Sequence, residues 1–307
     1  MMKPIIFFGK EVYINPIAFS IGKINVYWYG IIIVAGICLA LALLCKKLNG
    51  IKFVKFNVQS LKDKPNKGKI GSSSRLPKES GITFDTVIDY LVCAIIIGFI
   101  CARMYYVLFR LDYYIKNPAE IFMIWNGGIA IYGGIIGAIL YALYFCKKRN
   151  IKFLKLADLL VPYLLLVQSI GRWGNFVNRE AYGYETNLPW KMGVYNSQLN
   201  DYIYVHPTFL YESILTFLGF IFLVNLSKNK KFDGQIFYLY MIIYGTIRLC
   251  VEGLRTDSLM FANFRISQLL SLIFVIFFGI IYYIKRKGRR NNEIGSWHLC
   301  FFTVKWI

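Results

Sequence analysis

The sequence predicts an all-α polytopic membrane protein with seven transmembrane helices. The chain of 307 residues is 57% hydrophobic and only 17% charged, and its mean hydropathy is +0.50. Soluble domains are about 25% charged, so this composition argues against an ordinary soluble protein. Seven apolar stretches are long enough to cross a bilayer, and lysine and arginine cluster in alternate connections between them.

The seven apolar stretches define the predicted helices. The hydrocarbon core of a bilayer is about 30 Å thick and requires about 20 apolar residues per helix. The stretches that meet this requirement are 24–45, 86–109, 128–146, 156–175, 207–226, 235–254 and 264–284. We therefore expect one seven-span domain over residues 1–290 rather than two soluble domains.

The distribution of cations predicts the orientation, because cytoplasmic loops carry an excess of lysine and arginine. Of the 36 lysines and arginines, 24 lie in residues 46–80, 147–155, 228–231 and the segment from Lys285 onward. The sequence therefore predicts that the N-terminus is outside and the C-terminus is cytoplasmic. The net charge of +20 then reflects topology, and nucleic acid is not an expected partner.

Three segments outside the predicted helices have distinct characters. Residues 57–80 are polar and rich in Gly, Ser and Lys, which is typical of a flexible insert, here on the cytoplasmic side. Residues 179–206 form the largest outer connection, and we expect them to fold as a small extracytoplasmic head. Residues 291–307 are a cytoplasmic tail that is too short to span the bilayer.

Several ionisable residues lie at the outer level of the predicted helices, where charge is costly and marks function by default. This set comprises Arg103, Arg110, Arg172, Glu180, Glu212, Arg248, Glu252 and Arg255. Arginines at this level run against the positive-inside bias. They either hold an anionic headgroup, since guanidinium binds phosphate in a bidentate manner, or form a structural Arg–Glu network.

Other polar residues extend this pattern. Tyr29 opens the first span, and a glycine-rich run, WNGGIAIYGGIIG, opens the third and permits close backbone approach. His206 is a candidate for either a general base or a structural hydrogen bond. Asp158 is expected to cap the helix of the fourth span, because acidic residues favour helix N-termini.

Four motifs occur in the order found in a known family. They are IWNGGIAIYGG (124–134), GRWGNFVNREAYG (171–183), HPTFLYE (206–212) and YGTIRLCVEGLRTD (244–257). Together they resemble the signatures of bacterial prolipoprotein diacylglyceryl transferases, over roughly residues 13–285 without the insert. The resemblance implies seven transmembrane helices, an outer N-terminus and a small outer head, as the apolar stretches and cations predict independently.

The resemblance also implies an activity. The family transfers the diacylglyceryl group of phosphatidylglycerol to the lipobox cysteine thiol of a prolipoprotein, forming a thioether and releasing glycerol 1-phosphate. The implied partners are phosphatidylglycerol, prolipoprotein lipobox segments and the lipid bilayer, with no cofactor and no metal. We expect a monomer in the bacterial cytoplasmic membrane, with its active site toward the outer face.

Site residues follow from the motifs that match. The resemblance assigns catalytic roles to Tyr29, Tyr132, Arg172, Asn175, Glu180, Arg248 and Glu252. It assigns phosphatidylglycerol binding to Arg172 and Arg248 and also to Arg103, Asn178, His206, Glu212, Tyr244 and Arg255. Tyr132 departs from the pattern, because many members carry histidine there; it either takes the thiol proton or donates a hydrogen bond.

Two other classes of function stay open at this stage. A transporter would use the same charged outer cavity, but polar residues would then be expected to continue to the cytoplasmic side, and they do not. A non-catalytic lipid-binding protein would retain the arginines without the reaction.

Overall fold

The computed structural model describes residues 3–22, 24–49, 82–123, 127–256, 260–261 and 264–303. The predicted insert at 57–80 lies outside these ranges. Side chains beyond Arg289 are also outside the description, although the backbone of the last helix is described as far as Thr303.

Within the described ranges the chain is mostly helical, and every predicted span coincides with a helix. The helices are α1 Trp28–Asn49, α2 Phe84–Leu108, α3 Leu111–Tyr114, α4 Ile131–Lys148, α5 Phe153–Asn178, α6 Thr208–Ser227, α7 Gln235–Glu252 and α8 Ile266–Thr303. Six of them, α1, α2, α4, α5, α6 and α8, are long and apolar enough to cross a membrane. The remaining long helix, α7, is 18 residues long and contains Arg248 and Glu252. The chain is thus a multi-pass helical membrane protein with at least six candidate spans.

Short strands accompany the helices, and the sequence analysis did not predict them. They are β1 Ile5–Phe7, β2 Lys10–Val12, β3 Ile17–Ile21, β4 Ile24–Tyr27, β5 Met192–Asn196, β6 Asp201–Val205, β7 Met260–Phe261 and β8 Phe264–Arg265. Four of them form an antiparallel sheet in the order β2-β1-β5-β6, while β3 pairs with β4 and β7 with β8. Strands of two to five residues are too short for an alternating pattern to stand out from the surrounding apolar sequence.

The chain divides into two compact units. One comprises Met1–Ala42 with Ala157–Ile307, and the other comprises Leu43–Leu156. Each unit is described separately below.

In the first unit, the four-stranded sheet packs on the end of α5 and the start of α6. Ile5 of β1 and Met192 of β5 are almost fully buried and cluster with Phe176 of α5 and Phe209 of α6. The predicted head at 179–206 therefore contains β5 and β6, completed by strands from the N-terminus. This core fixes the end of α5, which carries the first part of the motif at 171–183, called here the central motif.

The position of Asp158 corrects one expectation from the sequence. Asp158 lies inside α5, so it does not cap that helix. Its carboxylate accepts hydrogen bonds from the amides of Gly234, at 2.7 Å, and Phe237, at 2.8 Å. These amides belong to the first turn of α7, whose N-cap residue, Gly234, has no side chain to supply the cap. Asp158 also pairs with Lys230 at 3.2 Å.

In the second unit, glycines let α2 and α4 pack closely. A Cβ on Gly133 would lie 2.4 Å from the Cβ of Tyr105, and one on Gly137 would lie 2.6 Å from the Cβ of Cys101. Small residues at such positions allow helix backbones to approach each other in membranes. The expectation of close approach at the glycine-rich run is confirmed.

Candidate active site

Two arginines on different helices share one buried carboxylate. Arg172 Nη2 of α5 donates to Glu212 Oε1 at 2.5 Å, and Arg248 Nη1 of α7 donates to Glu212 Oε2 at 3.3 Å. The side chain of Glu212 is 2% exposed, whereas those of Arg172 and Arg248 are 20% and 16% exposed. The carboxylate is therefore enclosed, while both arginine side chains stay partly exposed.

Each arginine has a second polar partner that fixes its orientation. Arg172 Nη1 donates to Asn175 Oδ1 at 3.3 Å, one helical turn further along α5. Arg248 Nη2 donates to Glu252 Oε2, one turn further along α7. Both partners are buried. Residues three or four apart lie on the same side of a helix, so each helix presents a preformed pair.

The network continues from Asn175 to Glu180, which is exposed. Asn175 Nδ2 donates to Glu180 Oε1 at 2.9 Å, and Asn178 Nδ2 reaches the same oxygen at 3.4 Å. The Glu180 amide also donates to the Asn175 carbonyl at 3.1 Å, which closes the end of α5. Glu180 is thus the solvent-facing carboxylate of a chain of contacts that begins at Arg172.

Tyr244 lies beside the arginine cluster of the first unit and stacks on Tyr240. Tyr244, on α7, interacts with Arg172, Glu212 and Arg248. Its ring stacks on Tyr240 at 5.9 Å between centroids, with an angle of 1° between the ring planes. The sequence-predicted Tyr244 therefore hydrogen-bonds Arg172 and lies close enough to Arg248 for an electrostatic interaction.

Tyr29, the first candidate along the chain, packs against the central motif. A Cβ on Gly174 would lie 2.4 Å from Cδ2 of the Tyr29 ring. Gly174 stands between Arg172 and Asn175 in sequence, and its missing side chain makes room for the ring. Tyr29 itself is 37% exposed.

His206 has structural partners. Its Nδ1 lies 3.2 Å from the Tyr211 hydroxyl, which also accepts a hydrogen bond from Trp190 Nε1 at 2.8 Å. The backbone of His206 exchanges hydrogen bonds with Gly183 and Tyr184. The structure thus shows the structural hydrogen bond expected for His206, and the general-base role stays a prediction.

Gly183 joins the end of the central motif to Arg255 through backbone pairing. A Cβ on Gly183 would lie 2.8 Å from the Leu254 carbonyl oxygen and 2.8 Å from the Cβ of His206. Glycine is required there because the loop after α5 passes directly over the segment that follows α7.

In the second unit, Arg103 has a different environment from the arginine pair. The residue is 7% exposed. Its side chain donates four hydrogen bonds to the backbone carbonyls of Glu120, Ile121, Gly127 and Gly128, at 2.6, 3.0, 2.7 and 2.8 Å. A Cβ on Gly128 would lie 2.5 Å from Arg103 Nη1, and both Gly127 and Gly128 have positive φ, of 84° and 78°. These two glycines therefore allow the loop to wrap around the guanidinium.

Tyr132 and Arg110, the other two candidates of the second unit, are exposed. Tyr132, the second residue of α4, is 50% exposed. The guanidinium of Arg110 lies 5.7 Å from the centre of the Tyr106 ring. Neither Tyr132 nor Arg103 belongs to the unit that contains the arginine pair, and their roles toward a substrate stay predictions.

The comparisons with known proteins agree with this geometry. A family model described as prolipoprotein diacylglyceryl transferase matches residues 69–284. A phosphatidylglycerol–prolipoprotein diacylglyceryl transferase of Finegoldia magna is 46% identical over 272 residues, which cover 88% of this chain and 95% of the relative. The chain belongs to the prolipoprotein diacylglyceryl transferase family.

Further relatives carry the same name. The protein of Clostridioides difficile is 41% identical and covers 91% of this chain and 98% of its own length. The protein of Listeria welshimeri is 40% identical and covers 89% of this chain and 91% of its own length. The chain therefore matches these transferases over nearly their whole length.

Within this transferase family member, Arg265 is a polar contact that sequence reasoning missed. Its Nη1 donates to the Glu252 carbonyl oxygen at the end of α7, and its Nη2 donates to the Tyr184 hydroxyl at 2.7 Å. Arg265 lies in the two-residue strand β8, which no apolar pattern reveals. Its position as the second residue of the last predicted span, 264–284, was the available signal. Among the described residues, no three of His, Cys, Asp and Glu cluster so as to hold a metal ion.

Proposed function

We propose that this chain transfers the diacylglyceryl group of phosphatidylglycerol to the lipobox cysteine of prolipoproteins, the first step of bacterial lipoprotein maturation. The names of relatives that are 40–46% identical over most of the chain support this reaction. The observation that carries the proposal is the pair of guanidinium groups, Arg172 and Arg248, that Glu212 holds together at a partly exposed site.

The reaction is a displacement at carbon. The cysteine sulfur forms a bond to the phosphate-bearing carbon of the diacylglycerol part of the lipid, and the bond between that carbon and the phosphate oxygen breaks. The thiol loses its proton, and glycerol 1-phosphate leaves with the electron pair of the broken bond. The phosphate thus changes from a singly charged diester to a monoester that carries up to one more negative charge.

The arginine pair suits the charge that develops on the leaving group. Preorganised cations at the position where charge appears stabilise the transition state more than the ground state. Arg172 and Arg248 project from separate helices, so together they can contact two phosphate oxygens. Their carboxylate partners hold both side chains in place before substrate arrives, which limits reorganisation during the reaction.

The three carboxylates of the cluster differ in exposure, and we assign their roles on that basis. Glu212 and Glu252 are 2% and 3% exposed and bind arginines directly, which suits an orienting role. Glu180 is exposed and is held by two asparagine amides. Among these three, Glu180 is best placed to accept the thiol proton, directly or through water.

The topology of the proposed enzyme follows the cation asymmetry of the sequence. We propose seven spans, with α7 crossing the bilayer among the six more apolar helices, an outer N-terminus and a cytoplasmic C-terminus. The four-stranded sheet then belongs to an outer head, and the arginine pair faces the outer leaflet of the cytoplasmic membrane. We propose that the enzyme acts as a monomer.

A transfer assay on the purified protein tests the proposed function. The protein is incorporated into vesicles with phosphatidylglycerol and a lipobox peptide, and the lipidated peptide is measured by mass spectrometry. We expect a mass gain of one diacylglyceryl group and release of glycerol 1-phosphate. The matched controls are a peptide with serine in place of the cysteine and vesicles of phosphatidylcholine alone.

The possible outcomes separate the classes of function. A folded protein that binds phosphatidylglycerol without lipidating the cysteine peptide would indicate a binding protein and contradict the proposal. Movement of lipid or solute across the vesicle without thioether formation would indicate a transporter.

A further inference from the structure

We propose that the hairpin Ile17–Tyr27, called here the interfacial hairpin, lies flat in the lipid–water interface with one face against the bilayer. It consists of β3 and β4 and immediately precedes α1. In this arrangement, membrane lipid packs against its apolar face. This inference depends on the chain being a membrane protein and does not depend on the proposed transferase reaction.

The register of the hairpin separates apolar from polar side chains. Phe19 pairs with Val26, and Ser20 pairs with Asn25 one position further along. Side chains alternate between the two faces of a strand, so Phe19, Ile21 and Val26 share one face and Ser20 and Asn25 share the other. A hydrogen bond of 2.7 Å from Ser20 Oγ to Asn25 Oδ1 confirms that these two side chains meet on the polar face.

Two of the three side chains on the apolar face are more than half exposed, and Val26 is half-buried. Phe19 is 51% exposed and Ile21 is 67% exposed. A two-stranded hairpin is at best marginally stable in water by itself, and it needs its apolar face packed against something. Lipid supplies that contact if the hairpin lies at the level of the membrane surface.

The connection to α1 places the hairpin at that level. The backbone amide of Trp28, the first residue of α1, donates to the Pro16 carbonyl oxygen at 3.0 Å, which closes the base of the hairpin on the start of the helix. α1 is one of the candidate membrane spans. The interfacial zone on each side of a bilayer is only about 5–8 Å deep. The rise from Ile17 to Ile21 is about 13 Å, so an upright hairpin would carry Ile21, at its tip, beyond this zone into water.

The segment that precedes the hairpin links it to the four-stranded sheet. Strands β1 and β2, which precede it, belong to the four-stranded sheet that packs on α5 and α6. A hairpin held in the lipid–water interface would therefore keep the four-stranded sheet at a fixed distance from the membrane surface, beside the start of α1. Tyr27 and Trp28, which are 50% and 42% exposed, are residue types enriched at membrane interfaces.

Photolabelling of the unmodified protein tests the proposal. The protein is reconstituted in nanodiscs of phosphatidylcholine and phosphatidylglycerol that contain a lipid with a diazirine in the upper part of its acyl chain. A second sample receives a water-soluble diazirine. We expect the lipid probe to label Phe19 and Ile21 several-fold more than Ser20 and Asn25, and the aqueous probe to show the reverse.

Two variants sharpen the test. Replacement of Phe19 and Ile21 by serine should lift the hairpin from the lipid and speed amide hydrogen exchange over residues 17–27. The matched pair Ser20→Ala with Asn25→Ala, on the opposite face, should leave the lipid labelling of Phe19 and Ile21 in place. The inference is overturned if the aqueous probe labels all four positions equally, or if Phe19 and Ile21 are protected from both probes, which would indicate a protein partner.

Discussion

Arg103 and the pair Arg172–Arg248 all lie near the ends of long helices, yet their surroundings differ in kind. Arg103 is buried and gives four hydrogen bonds to backbone carbonyls of one loop. Arg172 and Arg248 bind carboxylates and keep 20% and 16% of their side chains exposed. The first arrangement ties α2 to the backbone of residues 120, 121, 127 and 128. The second leaves two guanidinium-bearing side chains partly exposed, and we propose that these bind an anionic ligand.

The different surroundings of these arginines show that position in the sequence does not by itself distinguish a structural arginine from one that binds a ligand. The sequence presented these arginines as one set with two open explanations, a headgroup site or a structural network. The structure divides the set by contact: Arg103 donates to backbone carbonyls, whereas Arg172 and Arg248 pair with carboxylates and stay partly exposed. The anion site at the second pair is our proposal. The same substitution, arginine to lysine, should therefore have different consequences in the two regions.

The largest effect is expected at Arg248. Arg248→Lys keeps the charge but loses the planar fork that contacts two oxygens at once. Loss of one preorganised donor to developing charge costs about 10²–10³ in rate. We expect this loss in the transfer assay with little change in thermal unfolding. Arg149→Lys is the matched control, since Arg149 pairs with Asp89 at an exposed position. Near-normal turnover of Arg248→Lys would contradict the assignment.

The next effect concerns Tyr132, which shares the second unit with Arg103. If its hydroxyl donates a hydrogen bond to the departing phosphate, Tyr132→Phe should slow transfer by about 10²-fold without abolishing it. Tyr132→His should retain activity, because histidine also donates. Turnover of both variants is measured against pH. An inactive Phe variant together with a His variant that gains a new pH limb near its ordinary pKa of about 6.5 would instead indicate a base at this position.

Arg103→Lys should act on stability more than on rate. A lysine cannot satisfy four carbonyls in the same plane, and each buried carbonyl left unpaired costs about 1–3 kcal/mol. We expect a lower unfolding temperature in nanodiscs, with turnover of the folded protein within tenfold of the parent. Gly128→Ala should reproduce the loss, since its Cβ would lie 2.5 Å from Arg103 Nη1. If Arg103→Lys leaves stability unchanged and abolishes transfer, the contrast between the two regions fails.

The smallest effect is expected far from the arginine pair, at the other end of α7. Asp158→Ala removes the cap of that helix and should lower stability by about 1–2 kcal/mol, the usual cost of a lost cap. Asp89→Asn, which breaks an exposed pair with Arg149, should cost less than about 1 kcal/mol. Thermal unfolding measures both variants, and equal losses would show that the buried cap adds nothing beyond a surface ion pair.

The long elements could be predicted because the bilayer imposes a simple pattern. Each of the seven apolar stretches became a helix, including 235–254, which coincides with Gln235–Glu252. The strands were missed because the sheet pairs residues 5–12 with residues 192–205, and its strands are shorter than the windows that reveal a pattern. Asp158 was assigned to the wrong helix for a related reason: its partners are 76 and 79 residues away.

The sequence indicated most residues of the candidate site, but it did not indicate how they contact one another. The motifs identified Arg172, Glu212 and Arg248, but neither motif nor spacing indicated that Glu212 bridges the two arginines. Arg103 belonged to the same sequence pattern, and only its carbonyl contacts show what it holds. Arg265 was missed because its contact with α7 depends on a two-residue hairpin strand.

The central claim is that Arg172 and Arg248 together hold the phosphate of phosphatidylglycerol. The most direct measurement is a cryo-EM structure of the protein with a phosphonate analogue of phosphatidylglycerol that cannot react with the thiol. We expect nitrogens of both guanidinium groups about 2.7–2.9 Å from the phosphonate oxygens, the usual length of a charge-assisted hydrogen bond. A phosphonate bound away from both arginines, with their contacts to Glu212 unchanged, would contradict the account.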